Sequence, residues 1–288
     1  MNTEETLRYW TAYMRTADLA ERTIRERLIF IRHVDRETSG IYSVTKRELI
    51  EWIGAQRWSN STRVHRRSGL NTFFAWMQEE GLRADNPAYQ LPKVQMAPRD
   101  PRPFHVDEIE ALLSSGIYRR TRVMVALYYY VGLRASEIAA VHGGDVDWRR
   151  QTLTTVGKGN KTKELPIPAA LWEIVQDMPR DAYWFPNHQA NRKFAAGEGH
   201  ITGQSVSAVL SDAIRRAGLK HRPHDLRAAT ATEMNRHGVS AFVIQGGMRH
   251  ERMDTTNHYL KVDLEQIRAG YETLPVVSMP ARSGRRAA

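Results

Sequence analysis

The chain has 288 residues, enough for two average domains, and a hydrophobic content of 41% that can fill packed cores. Its 42 basic and 32 acidic residues give a formal net charge of +10, which favours a polyanionic partner. Nucleic acid is a better candidate partner than a membrane surface, because the sequence has no strongly apolar amphipathic stretch. A basic soluble protein without a polyanionic partner explains the charge equally well. The lack of cysteine excludes disulfides, thiolate catalysis and cysteine-ligated zinc.

The sequence also argues against secretion and membrane insertion. Charged residues run through Met1–Leu19, so no secretory signal is expected at the start of the chain. The longest apolar run, Val123–Leu133, is far shorter than the roughly 20 residues that span a bilayer, and we predict a buried helix there. We therefore expect an intracellular, soluble protein, and the excess of arginine over lysine favours a high-GC genome.

Residues 1–89 are predicted to form a small domain of four helices. Apolar residues at spacings of three and four predict one helix from Thr3 and a second from about Thr23. Thr45, followed three residues later by Glu48, forms a capping box that predicts the start of a third helix.

A fourth helix and a linker complete this half of the chain. The helix follows the polar cluster Ser59–Thr62 and is predicted to stop at Gly81. Five prolines from Pro87 to Pro103 then oppose helix formation and favour an extended connector. We place this linker at residues 90–104.

The second domain, residues 105–274, is predicted to be mostly helical with one β-hairpin. The hairpin strands are Leu153–Val156 and Glu164–Ile167, around a turn rich in glycine. Helical patterns then cover Ala169–Met178, Gln204–Ala217, Pro223–His237, Ala241–Met248, Asp254–Leu260 and Asp263–Thr273. The composition of residues 275–288 predicts a disordered tail.

Several residues of the second domain could act on a phosphodiester. Breaking that bond without a metal requires a nucleophile, cations for the charge on five-coordinate phosphorus, a proton acceptor and a proton donor for the leaving oxygen. Arginine is suited to stabilise the charge on phosphorus, because its planar guanidinium can bind two phosphate oxygens and stays protonated.

His224 and Arg227 are spaced i, i+3 at the start of a predicted helix, where free backbone N–H groups and the positive end of the dipole favour a phosphate. Taken alone, this motif more often marks a surface histidine beside an ordinary arginine. His221 and His224 also form an H-x-x-H pair, but no third ligand stands at a suitable spacing, so we predict no metal site.

Three further residues have both a chemical and a structural interpretation. Arg134 follows the apolar run and needs a partner, which Glu137 could supply by orienting its guanidinium, or the two could form a purely structural pair. Lys158 lies in the glycine-rich hairpin turn and could reach a DNA backbone, or it could be an ordinary solvated lysine. Tyr259 is a candidate nucleophile only if cations lower its pKa from about 10; otherwise it is a packing residue.

In their order and spacing these motifs resemble the tyrosine recombinase family, also called the phage integrase family. The matching residues are, in chain order, Arg134 and Glu137 in G-L-R-x-x-E, Lys158 in the hairpin motif G-K-G-x-K, His224 and Arg227 in H-x-L-R, and His250 and Tyr259 in H-x(5,6)-T-x-x-Y. The helical first half ends in E-G-x-x-x-x-N-P and resembles the core-binding domain of the Xer and integrase groups. The resemblance therefore covers nearly the whole chain.

Two positions depart from the family pattern. Arg249 replaces the usual glycine of the L-G-H motif, so we expect the turn before His250 to be tighter or to add a phosphate contact. Ala228 stands where many members have a histidine. Neither position carries chemistry that the reaction requires, so we expect an intact site.

The resemblance implies a fold that is mainly α with a small β-hairpin or sheet. It pairs a four-helix core-binding domain with a mixed α/β tyrosine recombinase catalytic domain. It also implies that Tyr259 attacks the scissile phosphate, which gives a 3′-phosphotyrosyl link and a free 5′-hydroxyl. Because the covalent link conserves the bond energy, no ATP, metal or other cofactor is expected.

The same resemblance assigns the remaining roles. Arg134 and Arg227 would hold the non-bridging phosphate oxygens, and Lys158 would protonate the 5′ leaving oxygen. His224 would assist proton movement at the tyrosine, and His250 would hydrogen-bond the phosphate or the groups around it.

The implied partner is double-stranded DNA with an inverted-repeat core site, bound by a homotetramer in the synaptic complex and by a monomer when free. Candidate DNA contacts are Thr23 and Arg25 in the second helix, Arg63, Arg66 and Arg67 in the fourth, and Lys161 in the hairpin. A solvated helix face is the alternative for these arginines. The resemblance also implies that the apolar stripe of Asp263–Thr273 docks on a neighbouring protomer, with docking on its own domain as the alternative, and it implies a bacterial, nucleoid-associated protein of the cytoplasm.

Several biological roles fit this chemistry. The departures at Arg249 and Ala228 favour the integrase of a phage or mobile element over an Xer-type resolvase of chromosome or plasmid dimers. A non-catalytic DNA-binding regulator on the same fold is a rival that covalent trapping on DNA would exclude. A type IB topoisomerase is a second rival, which tetrameric synapsis would exclude.

Overall fold

A computed structural model describes five stretches of the chain, residues 2–95, 102–157, 162–191, 193–249 and 264–277. The chain divides into two compact units, Met1–Arg99 and Asp100–Ala288, and each unit has its own hydrophobic core. The predicted fold, mainly helical with one small sheet, is confirmed.

The first unit contains the four predicted helices. They are α1 Thr3–Thr16, α2 Glu21–Glu37, α3 Lys46–Ala55 and α4 Asn60–Glu79. Their apolar faces meet in a core rich in aromatic rings, among them Trp10 and Phe73, whose centroids are 4.7 Å apart. Burying such large rings supplies much of the stability of a small domain. The chain turns after α4 at Gly81, whose φ of +69° favours glycine.

The start of α3 departs from the predicted capping box. The Thr45 hydroxyl accepts a hydrogen bond from the backbone N–H of Glu48 at 3.2 Å, as the box requires. The Glu48 carboxylate instead accepts from the backbone N–H and the hydroxyl of Ser39, both at 2.6 Å. Only half of the box forms, because the preceding loop offers this carboxylate two other donors.

Both ends of the predicted linker belong to packed cores. Leu91 is buried in the core of the first unit, and Phe104 is buried in the core of the second. The Phe104 ring also stacks on the imidazole of His221, with 4.1 Å between the centroids. Leu91 and Phe104 were assigned to the linker at 90–104 from its proline content alone. In the structure each of them is packed into the core of its own unit.

The second unit combines eight described helices with a three-stranded antiparallel sheet. The helices are α5 Val106–Ser114, α6 Arg119–Val131, α7 Ala135–Ala139, α8 Ala169–Val175, α9 Gly203–Arg216, α10 Pro223–Arg236, α11 Ala241–Met248 and α12 Leu264–Glu272. The strands β1 Val146–Asp147, β2 Thr152–Val156 and β3 Thr162–Pro166 follow in sheet order β1-β2-β3. The predicted hairpin is β2–β3, and the two-residue strand β1 was not predicted.

Helix α6 runs through the middle of the second core. All its residues from Val123 to Val131 are buried, as the apolar run predicts. It ends at Gly132, where φ is +59° and a Cβ atom would come within 2.7 Å of the Met248 sulfur. This close approach brings the loop after α6 against the end of α11. Within the described residues, no helix is both long and apolar enough to cross a membrane.

Helix α12 packs on its own domain, which corrects the expectation that it docks on a neighbouring protomer. Ile267 and Tyr271 are buried in the second core. On the other side of the helix, Arg268 donates to the backbone carbonyls of Ile167 and Arg150 at 3.3 and 3.0 Å. The apolar stripe correctly indicates a covered helix face, but it does not say which chain covers it.

The first residues of the predicted tail also belong to this core. Leu274 and Val277 are both buried. The backbone N–H of Val277 donates to the hydroxyl of Tyr130 at 3.0 Å. Val277 is therefore packed in this core, which corrects the prediction that a disordered tail begins at Pro275.

Candidate active site

Three of the six predicted catalytic residues lie in the described part of the chain: Arg134, His224 and Arg227. Lys158, His250 and Tyr259, together with the predicted DNA contact Lys161, lie outside the described residues. The described part of the site consists of the loop after α6, the start of α10 and the end of α11.

Arg134 and Glu137 form the predicted pair. Arg134 caps the start of α7, and its Nη1 donates to Oε1 of Glu137 at 2.8 Å. The backbone N–H of Arg134 also donates to Oε2 of the same carboxylate at 2.7 Å. The Glu137 side chain is only 2% exposed, whereas that of Arg134 is 33% exposed. The carboxylate therefore fixes an arginine that still reaches solvent.

Arg227 is buried, although its motif alone would more often mark an ordinary surface arginine. Its two terminal nitrogens donate to the backbone carbonyls of Gly132 and Met248. His224, one turn earlier on α10, is exposed. The i, i+3 spacing places both residues near the start of the helix, but at different depths.

The carboxyl end of α11 is held by side chains from four other segments. The last carbonyls of a helix lack partners within the helix and attract cationic donors. Here Lys163 Nζ donates to Gly246 O at 2.7 Å, Tyr271 Oη lies 3.2 Å from Gly247 O, Arg227 Nη2 donates to Met248 O, and Arg134 Nη2 donates to Arg249 O at 2.9 Å. The two predicted phosphate-binding arginines thus also hold the helix that precedes His250 in the sequence.

Lys163 and Tyr271 had no place in the sequence prediction. Lys163 lies in β3, five residues beyond the predicted catalytic lysine. Its role as a helix cap depends on a contact 83 residues away in the sequence. Tyr271 was predicted only as part of an apolar stripe, although its hydroxyl binds Val131 O or Gly247 O. Neither contact has a local sequence signal.

Arg249 adds a third arginine to the cluster. It caps α11 in the left-handed conformation, with φ +54° and ψ +45°. Its Nη2 donates to Glu137 Oε2 at 2.7 Å and to Gly132 O at 3.0 Å, and its Nη1 donates to Gly247 O at 3.2 Å. The side chain is 8% exposed and is directed at Glu137. In the structure Arg249 forms a buried ion pair, which the sequence prediction of a tighter turn or a phosphate contact did not include.

The electrostatics keep this carboxylate ionised. Burial alone would raise the pKa of Glu137, but the charge of Arg249 and the hydrogen bonds of Arg134 hold it below the usual 4.5. Burial, together with the charges of Arg249 and Arg134, lowers the pKa of Arg227 to about 10. The guanidinium therefore still carries its proton at neutral pH.

The surroundings of His224 favour its neutral form. Partial removal from water, followed by the charges of Arg227 and Arg134, lowers its pKa below the usual 6.5. A neutral imidazole can accept a proton at physiological pH.

The predicted DNA contacts of the first unit differ in their availability. Thr23 and Arg25 are exposed on α2. On α4, Arg63 donates to the carbonyl of Gln56 at 3.0 Å, and the Arg66 guanidinium lies 4.3 Å from the centroid of the Phe30 ring.

Arg67, the third predicted contact on α4, lines an open groove. The groove has a volume of about 590 Å³ and lies between α4 and residues 88–93. Lys93 and the polar side chains of Asn71 and Gln90 share its wall with Arg67. The arrangement brings two cations and two amides to one surface of the first unit.

A profile of the phage integrase family matches residues 103–266, more than half of the chain. The chain belongs to the phage integrase family. As a tyrosine recombinase it is an enzyme of site-specific DNA recombination. The matched segment contains every predicted catalytic residue, including those outside the described stretches.

Relatives and solved structures agree with this assignment. The recombinase is 27% identical to the tyrosine recombinase XerD of Neisseria meningitidis in an alignment of 230 residues that covers 73% of this chain and 74% of XerD. The integrase of mycobacterium phage Brujita is 28% identical and matches with a TM-score of 0.56 over 97% of this chain and 95% of its own. A lambda integrase tetramer bound to a Holliday junction shares the fold, with a TM-score of 0.69, 14% identity and coverage of 91% and 80%.

Proposed function

We propose that this recombinase cuts DNA with Tyr259 as the nucleophile and rejoins it by reversing the same step. The phenolic oxygen forms a bond to the scissile phosphorus, and the bond from phosphorus to the 5′ oxygen breaks. Lys158 supplies the proton that this leaving oxygen takes up, and the 3′ end stays attached to the tyrosine. The reverse attack by a 5′-hydroxyl restores the phosphodiester and frees Tyr259.

The observation that carries this proposal is the convergence of three distant motifs. Arg134 and the carbonyl of Arg249 are 115 residues apart, and Arg227 and the carbonyl of Gly132 are 95 residues apart, yet each pair is hydrogen-bonded. Convergent arginines bring the charge that a five-coordinate phosphorus requires. We assign the two non-bridging oxygens to Arg134 and Arg227.

The proton of Tyr259 needs an acceptor, and His224 supports that role. Its pKa lies below 6.5 because of partial removal from water and the charges of the neighbouring arginines, so it is neutral when the reaction runs at neutral pH. His250 is proposed as a hydrogen-bond donor to the phosphate or to the groups around it, in keeping with its place in the family motif.

We propose duplex DNA with an inverted-repeat core site as the partner, and a homotetramer as the synaptic complex. The net charge of +10 and the cationic groove beside Arg67 support binding to a phosphate backbone. The lambda integrase neighbour is a tetramer on a Holliday junction, which supports the same assembly here.

Between the two biological roles, we propose integration of a phage or mobile element. The Brujita phage integrase matches almost the full length of both chains. Dimer resolution is the second candidate, because XerD is similar at almost the same identity. Recombination between two different attachment sites on separate plasmids supports integration, whereas activity only between identical sites supports resolution.

The nucleophile assignment is tested with a nicked suicide duplex on a denaturing gel, in the presence of EDTA. Tyr259→Phe removes only the attacking oxygen, so it should bind DNA and form no covalent adduct. Tyr118→Phe is the matched control, because Tyr118 lies in the same domain, is 61% exposed and belongs to none of the catalytic motifs. An adduct in Tyr259→Phe, or its loss in Tyr118→Phe with intact DNA binding, contradicts the proposal.

A further inference from the structure

Arg249 occupies a backbone position that favours glycine. The left-handed cap of a helix is sterically strained for a residue with a side chain and not for glycine. Arg249 adopts it with φ +54°, at the point where the resembling family has the glycine of L-G-H. The arginine side chain therefore has to contribute something that offsets its backbone conformation.

The side chain is also buried, although an arginine is rarely placed out of water. It is 8% exposed, and its Nε is buried without a hydrogen-bond partner among the described residues. Its strongest contact is the Glu137 carboxylate at 2.7 Å. The burial therefore serves an interaction within the arginine cluster rather than a contact with solvent.

Glu137 is shared between two arginines. Its Oε1 accepts from Arg134 Nη1, and its Oε2 accepts from both the backbone of Arg134 and Nη2 of Arg249. Arg134 in turn donates its Nη2 to the carbonyl of Arg249. These contacts close a ring that fixes the Arg134 guanidinium against the end of α11.

The charge balance of the cluster depends on Arg249. With glycine at this position, Glu137 would neutralise one of the two remaining arginines and leave a charge of +1. With Arg249 the three guanidinium groups and one carboxylate carry a net charge of +2. A phosphodiester carries one negative charge and gains a second when a phenolate attacks it. Arg249 therefore adds one positive charge to the cluster, and the phosphate gains one negative charge when it is attacked.

We propose that Arg249 is a positioning residue for strand cleavage. By binding Glu137 it orients the Arg134 guanidinium and leaves the charge of Arg134 available to the scissile phosphate. The inference rests on the proposed role of Arg134 at that phosphate. Arg249 acts through Glu137 and Arg134 and does not itself contact the DNA.

The test compares two scissile groups in a nicked suicide duplex, a phosphodiester and a methylphosphonate. The methylphosphonate lacks one charged oxygen, so its attacked state carries one negative charge less. Arg249→Gly should slow adduct formation on the phosphodiester at least about tenfold and on the methylphosphonate by less than about threefold. Arg249→Lys keeps a charge near Glu137 and should keep the ratio of the two rates close to that of the unaltered protein.

Gln151→Gly is the matched control, because Gln151 also has a left-handed backbone, with φ +52°, in the same domain. It should leave both rates unchanged. Equal slowing of both substrates by Arg249→Gly, or an unaltered rate on the phosphodiester, overturns the inference. If Arg249→Gly does not fold, Arg249→Asn decides by the same criterion, because asparagine is neutral and tolerates the left-handed conformation: equal slowing of both substrates overturns the inference. The proposed function is tested separately: if Tyr259→Phe abolishes the covalent adduct, the role of Tyr259 is supported whatever the result for Arg249.

Discussion

Replacing Glu137 with glutamine should destabilise the catalytic domain more than most single substitutions do. The carboxylate side chain is 2% exposed and is the acidic partner of both Arg134 and Arg249. Glutamine keeps the shape and one acceptor oxygen but leaves both arginines without their counter-charge. Breaking a buried ion pair costs about 3–5 kcal/mol, and the partial exposure of Arg134 reduces this to about 2–4 kcal/mol here.

Glu233→Gln is a matched control in the same domain. Its carboxylate is almost as buried, with a side chain 6% exposed, but its partner Arg236 is 51% exposed. Loss of that pair leaves a cation that water can solvate, so we expect about 1 kcal/mol or less. The comparison isolates the effect of the two arginines that pair with Glu137.

The effect of Glu137 should also depend on pH. Its folded-state pKa lies below the ordinary 4.5, because Arg249 and Arg134 outweigh the effect of burial. Its contribution to stability is therefore complete above about pH 4.5 and is lost as the pH falls through the folded-state value. The difference in unfolding free energy between the unaltered protein and Glu137→Gln should shrink in acid.

Urea denaturation of the full chain, followed by circular dichroism at about pH 7 and about pH 4, measures both quantities. We expect a large difference at neutral pH and a smaller one in acid. A loss below about 0.5 kcal/mol at neutral pH, or a difference that grows in acid, refutes the assignment of Glu137 as the counter-charge of the cluster.

Three further predictions concern the chemistry and the carboxyl end. The cleavage rate should stay constant as the pH is lowered to about 6.5 and should decrease at lower pH, where His224 gains a proton. The His224→Gln variant should not show this decrease in acid. An identical pH profile in both proteins excludes His224 as the proton acceptor. Lys158→Ala should recover cleavage on a duplex with a 5′-phosphorothiolate at the scissile position, since that leaving group needs no proton, and continued inactivity rejects Lys158 as the acid. Ile267→Asp should lower the melting temperature of the free protein, because Ile267 is buried in its own domain; an unchanged melting temperature with lost synapsis restores docking on a neighbour.

Much of the fold was predictable because its signals are local. Apolar spacing, caps and the glycine at position 81 predict the helices of the first unit, and the apolar run Val123–Leu133 predicts the buried helix α6, which ends two residues earlier, at Val131. The strand β1 has only two residues, which is too short for an alternating pattern. The burial of Phe104 at the end of the predicted linker was not predictable, because proline content does not indicate which side chains enter a core.

The sequence predicts which described side chains of the candidate site cluster, but not how deeply they are buried. Spacing and family resemblance select Arg134, Glu137 and Arg227, and the structure brings them together. The burial of Arg227 and the pairing of Arg249 with Glu137 depend on contacts between residues about a hundred positions apart in the sequence. Such contacts follow from how α6, α10 and α11 pack, which no local pattern encodes.

The central claim is that Tyr259 becomes covalently joined to DNA. Trypsin digestion of the trapped adduct releases residues 253–261, a peptide in which Tyr259 is the only tyrosine. Mass spectrometry should find the nucleotide on this peptide, attached through phosphate to the tyrosine oxygen. A nucleotide on any other peptide, such as the 269–282 fragment that carries Tyr271, would contradict the account.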